Sequence, residues 1–347
     1  MKTELILKKT IGNKLYQEYL CPCGINTILE VKDLSSNHGK VNVTICCDEC
    51  HKHYDVRYSS KHTTWDLYHD YTSYYDSNGD SYKGGILMSD EKIDFFYIQN
   101  YVDKQFDSKE VIDHEKIANQ FVSEIHKSMD DERFENLLII TGFIPDLYPN
   151  DSSEETLFTK LVEGIVSEWA KRVGAAGELI KQKASYEDIR ITFDDKIIVC
   201  DAKSFRLGRS QKAPNPKDFL KLEDIRKWKS RYPTSIGGLV TYPCKHEWAK
   251  SSDIYQYCST KDAPTVMLPY KYLAYLLHYK DNFTSQKITD LWDYESLFPQ
   301  KFTKDIPGGN KVKYWEVINA EICRITNTSI DELNDYMINA DNLINRC

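Results

Sequence analysis

Asp188, Asp201 and Lys203 fall within one short stretch and are of the types that hydrolytic chemistry uses. Two β-branched, alternating runs flank the polar pair Asp194-Asp195, which reads as two strands around a tight turn. With Asp194 and Asp195 as the turn residues, Asp188 comes to lie opposite Asp201. Directly opposed residues in an antiparallel pair hold their Cβ atoms about 4.5–5.5 Å apart. Lys203 is two residues beyond Asp201 and so projects from the same face. The other face carries Ile189, Ile191 and Phe193 against Ile198, Cys200 and Ala202, an apolar surface suited to a core. Two facing carboxylates repel unless a proton or a metal lies between them. An all-oxygen pair with room for water suits Mg²⁺, which binds through one or two carboxylates and keeps several waters. Lys203 beside it would orient or deprotonate an attacking water and neutralise charge developing on a phosphate. That chemistry is metal-assisted phosphodiester hydrolysis. The competing reading is a surface hairpin with solvated charges, and Asp-Asp is a less favoured two-residue turn than Asn-Gly or Asp-Gly.

Charge supports a polyanionic partner only locally. The chain is acidic, with a formal net charge of −8. From Lys203 to Arg231, however, ten basic residues stand against three acidic ones, so that segment is +7 and the remainder −15. A basic stretch beside a carboxylate site is what phosphate contacts require. Ser204, Arg206, Arg209, Ser210, Gln211 and Lys212, with Gly208 among them, suit a loop that approaches DNA. Lys217–Arg231 alone reads better as a solvated helix face.

The run Asp201-Ala202-Lys203-Ser204-Phe205-Arg206-Leu207, followed by Arg209 and Lys217-Asp218-Phe219, resembles the active-site segment of the HindIII family of restriction endonucleases, in the PD-(D/E)XK nuclease superfamily. Gly142-Phe143-Ile144-Pro145-Asp146 and Ser152–Lys160 resemble the segment leading into that family's catalytic helix, and the likeness fades around Leu273–Leu277 and Leu291-Trp292, covering roughly residues 131–300. The resemblance implies a type II restriction endonuclease that cuts double-stranded DNA at a short, palindromic site. By position it assigns Asp188, Asp201 and Ala202 to Mg²⁺ binding and Lys203 to catalysis. An acidic residue of the preceding helix often joins the site, and Glu163 is the candidate. The family's proline before the first carboxylate is absent, Glu187 standing there instead. One such site cuts one strand, so cleavage of both implies a homodimer. The rivals are a modification-dependent or repair nuclease of the same fold, and a zinc-ribbon DNA-binding protein with an inactive core.

These residues need elements to hold them. Ser152 and Glu155 form a capping box, the apolar positions Leu157, Phe158, Leu161, Val162, Ile165, Val166, Trp169 and Val173 recur at helical spacing, and Gly174 supplies a stop. Glu163 lies outside that stripe, where a solvated role competes with a site role. Residues 237–242 and 266–269 read as further strands, 270–277 as the start of a helix, and 108–129 as a helix. The expected core is α/β (α+β), a restriction-endonuclease-like fold with a mixed central sheet flanked by helices.

Upstream, five of the ten cysteines precede residue 51. Cys21-Pro22-Cys23 and Cys47-Asp48-Glu49-Cys50, joined by alternating runs at 27–31 and 40–45 around a turn-rich 35–39, predict a zinc-ribbon-like module with structural Zn²⁺. Cys46, His51 or His53 could replace one ligand. The predicted organisation is a ribbon over 1–60, a Tyr-rich β segment and helix over 61–130, the nuclease core over 131–300 and carboxy-terminal helices over 301–347. No apolar run reaches the roughly 20 residues of a membrane helix. Without a signal peptide, ten cysteines suggest a reducing, cytoplasmic setting.

Overall fold

In the computed structural model, residues 97–106, 112–145, 148–181, 185–206, 219–243, 248, 252–298 and 309–346 are described, together with the backbone of six strands nearer the amino terminus. The chain divides into two units, Met1–Ile93 and Asp94–Cys347. In the first, β1 (Leu5–Ile11), β2 (Lys14–Leu20) and β3 (Thr27–Asp33) form an antiparallel sheet in that order. A second antiparallel sheet contains β4 (Val43–Cys46), β5 (His53–Arg57) and β6 (Ser73–Asp76). The predicted hairpin between the runs at 27–31 and 40–45 is therefore corrected. The first run pairs with β2, and the described part of the second, within β4, with β5. Cys21, Cys23, Cys47, Cys50 and His51 lie outside the described residues.

The second unit opens with α1 (Tyr97–Phe106), α2 (His114–Ser128) and α3 (Asp131–Ile140). The helix predicted over 108–129 is shorter, since Asp113 caps it by accepting from the Lys116 N–H at 3.0 Å. Tyr97 and Tyr101 belong to α1 and pack on Phe121 of α2, so they fall in the helical part of the Tyr-rich β segment and helix expected over 61–130. After β7 (Phe143–Ile144) comes α4 (Ser153–Arg172), the helix predicted from the capping box. Ser152 Oγ accepts from the Glu155 N–H at 3.1 Å, and Glu155 reaches back to the Asp151 N–H at 2.7 Å. The helix ends at Gly174, whose φ of +84° is the left-handed stop glycine supplies at low cost.

The central sheet comprises β8 (Ala176–Leu179), β9 (Ile189–Phe193), β10 (Lys196–Ala202), β12 (Ser235–Tyr242) and β13 (Thr265–Pro269), in the order β13-β12-β10-β9-β8. The β8–β9 and β9–β10 pairs are antiparallel and the β10–β12 and β12–β13 pairs parallel, which makes the sheet mixed. The short β11 (Phe205–Arg206) pairs with β7 in parallel. The β9–β10 ladder runs from Lys196 with Phe193 to Cys200 with Ile189, the register set by an Asp194-Asp195 turn. Asp194 takes a positive φ of 52°, which the short Asp side chain tolerates.

Helices cover both faces. A Cβ on Gly177, the ladder partner of Ile191, would sit 2.2 Å from the Ser167 carbonyl oxygen of α4. A Cβ on Gly238, the partner of Val199, would meet Ile225 at 2.7 Å in α5 (Leu222–Lys229). Successive strand residues point to opposite faces, so α4 and α5 sandwich the sheet. Beyond α6 (Ile254–Cys258) and β13, α7 (Tyr270–His278) packs on α3 and receives the Trp169 indole N–H on its Leu273 carbonyl at 2.8 Å. Two 3₁₀ turns (Lys280–Asn282 and Ser285–Trp292), α8 (Tyr294–Leu297), α9 (Gly309–Thr326) and α10 (Ile330–Arg346) complete the unit. Tyr314 of α9 covers the outer edge of β13, its hydroxyl accepting from the Met267 N–H at 2.7 Å and donating to the Met267 carbonyl at 3.1 Å. None of the described helices is long and apolar enough to cross a membrane.

Candidate active site

The carboxy-terminal end of β10 delivers Asp201 and Lys203. Asp201 is buried at 3% exposure, and Lys203 Nζ lies 2.5 Å from its Oδ2. The Lys203 backbone is fixed on both sides, donating to the Thr241 carbonyl at 2.8 Å and accepting from the Tyr270 hydroxyl at 2.7 Å. Its ammonium also sits 5.9 Å from the centre of the Phe219 ring.

Asp188 enters from the other strand with a change from the expected pairing. The ladder ends at Ile189 with Cys200, and one residue earlier the Asp188 N–H turns to the Cys200 carbonyl at 3.0 Å. Its Oδ2 accepts from the Ala202 N–H at 3.1 Å. Asp188 is thus folded onto the Cys200–Ala202 backbone and is not a ladder partner of Asp201, although the Asp201 charge still acts on its carboxyl. Burial pushes the Asp188 carboxyl well above the usual range, and the negative charges of Glu163 and Asp201 push it further.

Glu163 comes from the middle of α4. It is 4% exposed, not solvated, because α2, α7 and the sheet enclose that helix on all sides. Burial raises its carboxyl, the Lys160 ammonium opposes that rise, and Asp201 adds to it. Lys160, itself 7% exposed, is ion-paired to Glu163 Oε2. Sequence reasoning missed Lys160, although a Lys–Glu pair one helical turn apart is a visible signal.

A second group holds the approach to Asp188. Glu187, 1% exposed, accepts the Tyr232 hydroxyl on Oε1 and has Arg231 3.7 Å from Oε2. The Ser185 carbonyl accepts from the Trp228 indole at 2.9 Å and from Arg231 at 2.8 Å, while Arg231 stacks 3.7 Å from the centre of the Tyr186 ring. The end of α5 and the turn behind it thereby pin the loop that carries Asp188. Of these residues the sequence marked Glu187, by its place beside Asp188, and Arg231, as the end of a basic run read as a solvated helix face.

The expected DNA-contacting residues divide. Arg206 is spent inside the protein, with its side chain 8% exposed, Glu155 Oε2 at 2.7 Å, and bonds to the Tyr148 and Pro149 carbonyls at 2.5 and 3.1 Å. The sequence places Arg206 in a loop that approaches DNA; here the two carbonyls and the carboxylate of the same chain engage its donors. Ser204 Oγ is buried without a hydrogen-bond partner. Arg209, Ser210, Gln211 and Lys212 lie outside the described residues.

Among the described residues, no group of three or more His, Cys, Asp or Glu side chains is arranged to hold a metal ion unaided. The donor set nonetheless fits Mg²⁺, which uses one or two carboxylates and fills its remaining positions with water and phosphate oxygens. Among the described residues, lysines pair with the buried Glu163 and Asp201, while the partly buried Asp188 is held by the Ala202 N–H.

A mixed sheet flanked by helices, with acids and a lysine gathered where a hairpin meets the preceding helix, defines a nuclease core of the restriction-endonuclease type. The chain belongs to the HindIII restriction endonuclease family, whose pattern it matches over residues 101–346. Membership identifies it as a type II site-specific deoxyribonuclease. The match extends on both sides of the 131–300 stretch, from within α1 to the end of α10. Among curated proteins no sequence matches it.

Proposed function

We propose that this endonuclease uses Mg²⁺ held by Asp188, Asp201 and the backbone of Ala202 to hydrolyse phosphodiester bonds at a short, palindromic site in double-stranded DNA. The observation that carries this reading is the convergence of Glu163, Asp188, Asp201 and Lys203 in one group, in which Lys203 pairs with Asp201 and the charges of Glu163 and Asp201 act on Asp188. When bound, Mg²⁺ would act as a Lewis acid on the phosphate and lower the pKa of a water. Asp201 holds Lys203 in place, and the Lys203 ammonium orients the attacking water and offsets charge on the phosphate oxygens. The Ala202 N–H fixes the Asp188 carboxylate from behind. Arg209, Ser210, Gln211 and Lys212 are assigned to DNA on sequence alone. A homodimer would bring two such sites to opposite strands. Structural Zn²⁺ at Cys21, Cys23, Cys47 and Cys50 belongs to the same reading and rests on cysteine spacing; metal analysis of the purified protein after dialysis should return one zinc per chain.

Lys203→Ala tests the assignment of the site. It should reduce cleavage by at least about a thousandfold, within the range of losses seen when catalytic groups are removed, and leave DNA binding in Ca²⁺ intact. Cleavage at the wild-type rate would remove Lys203 from the reaction.

A further inference from the structure

A lysine ammonium is seldom buried unless it is paired, and Lys160 is buried inside the longest helix of the nuclease core with its charge directed at Glu163. Glu163, Asp188 and Asp201 bring three carboxyl groups into one cluster whose charges act on one another. Two ammonium groups answer them, Lys203 on Asp201 Oδ2 and Lys160 on Glu163 Oε2. Lys203 comes from the end of a strand, while Lys160 comes from within the helix. A cation entering this group meets a carboxylate oxygen already held by an amine on the same helix.

We propose that Lys160 is a positioning residue, a resident counter-cation that holds Glu163 in the acid cluster of the metal-free enzyme and competes with a divalent cation for it. This rests on the proposed reading of the cluster as a Mg²⁺ site. Without an incoming cation, the Lys160–Glu163 pair keeps three acids from facing one another with a single lysine between them. With the cation bound, the pair becomes a source of competition, because the Lys160 ammonium and Mg²⁺ are drawn to the same group of carboxylates and repel each other. Lys160 thus favours folding at the expense of metal affinity. A merely structural ion pair would affect folding alone.

Thermodynamic linkage separates these possibilities, because a ligand that binds only the folded state raises Tm by an amount set by its affinity. Thermal unfolding of the full chain in EDTA and across a Mg²⁺ titration, without DNA, would be compared for wild type, Lys160→Met and Lys160→Arg. Lys160→Met should melt lower than wild type in EDTA, rise further on adding Mg²⁺, and reach half of its rise at about tenfold less Mg²⁺, since an ammonium no longer opposes the cation. Lys160→Arg should follow wild type in both conditions. If Lys160→Met fails to fold, the double variant Lys160→Met/Glu163→Gln removes both charges. It should regain stability in EDTA and show a smaller Mg²⁺ response than wild type. A Mg²⁺-induced rise in Lys160→Met equal to that of wild type, or in the double variant no smaller than that of wild type, would overturn the role of Lys160 alone. No rise in wild type itself would instead overturn the reading of the cluster as a Mg²⁺ site.

Discussion

Asp188 illustrates a conflict between stability and reaction at a single residue. Its partly buried carboxyl is held beside the buried Glu163 and Asp201, with the Ala202 N–H as a hydrogen-bond donor. Replacing one of several like charges in such a group relieves repulsion while an amide oxygen can keep the bond to Ala202. Asp188→Asn should therefore stabilise the metal-free protein by about 1 kcal/mol, the usual scale of gains at strained functional sites, and abolish cleavage. Chemical denaturation in EDTA beside a cleavage assay checks both halves, and a loss of stability would argue that the three acids do not repel. The Asp188–Asp201–Lys203 group was legible because alternation about Asp194-Asp195 fixes the hairpin register. Two features were not. The departure of Asp188 from the ladder depends on its bond to Ala202, and the burial of Glu163 depends on packing around α4. A stripe of apolar residues describes a helix with one wet side, and most of α4 has none.

At the scale of elements, the loop before Asp188 is held by side chains from the end of α5 and the turn after it, not by a rigid residue of its own. Tyr232→Phe removes the hydroxyl that Glu187 accepts while keeping the ring under Arg190, 5.2 Å from its centre. Such a change costs about 1 kcal/mol for one hydrogen bond. It should lower the cleavage rate several-fold while DNA binding in Ca²⁺ stays as in wild type. An unchanged rate would mean that Asp188 needs no support from this side. Ser152→Ala tests the start of α4. Loss of the cap should destabilise the protein by about 1 kcal/mol in denaturant unfolding, although Glu155 retains its bonds to Asp151 and Arg206. Capping, the stop at Gly174 and the hairpin were readable because each is written in adjacent residues. Strand β8 and the partner choice of β3 were not, since those pairings depend on residues distant from the signal.

Across the whole molecule, charge ties elements together far from the site. Asp131, at the start of α3, meets Arg172 at the end of α4 at 2.9 Å and pairs with Lys280 after α7. Burial acts to raise its carboxyl, but the bonds from Lys280 and Arg172 outweigh it and lower the carboxyl below its ordinary value near 3.8. A depressed carboxylate contributes stability that is fully present above the unfolded value and lost as pH falls through the folded one. Asp131→Asn should therefore be less stable than wild type at neutral pH, by a few tenths of a kcal/mol given the exposure of the pair, and the difference should vanish in acid below that lowered value. Unfolding curves at several pH values would show it, and a difference that persisted in acid would contradict the pairing. At this scale the nuclease core was legible because one specific run, Asp201 to Leu207, names a family whose pattern spans residues 101–346. The amino-terminal unit offers no comparable run, and its two sheets arise from pairings that cysteine spacing does not encode.

The most direct measurement incubates purified protein with unmethylated DNA and Mg²⁺ and sequences the fragment ends, with Lys203→Ala in parallel. The account requires discrete fragments sharing one short, twofold-symmetric end sequence, and no fragments from the variant. Intact DNA from the wild type, cutting confined to methylated DNA, or equal cutting by Lys203→Ala would contradict it.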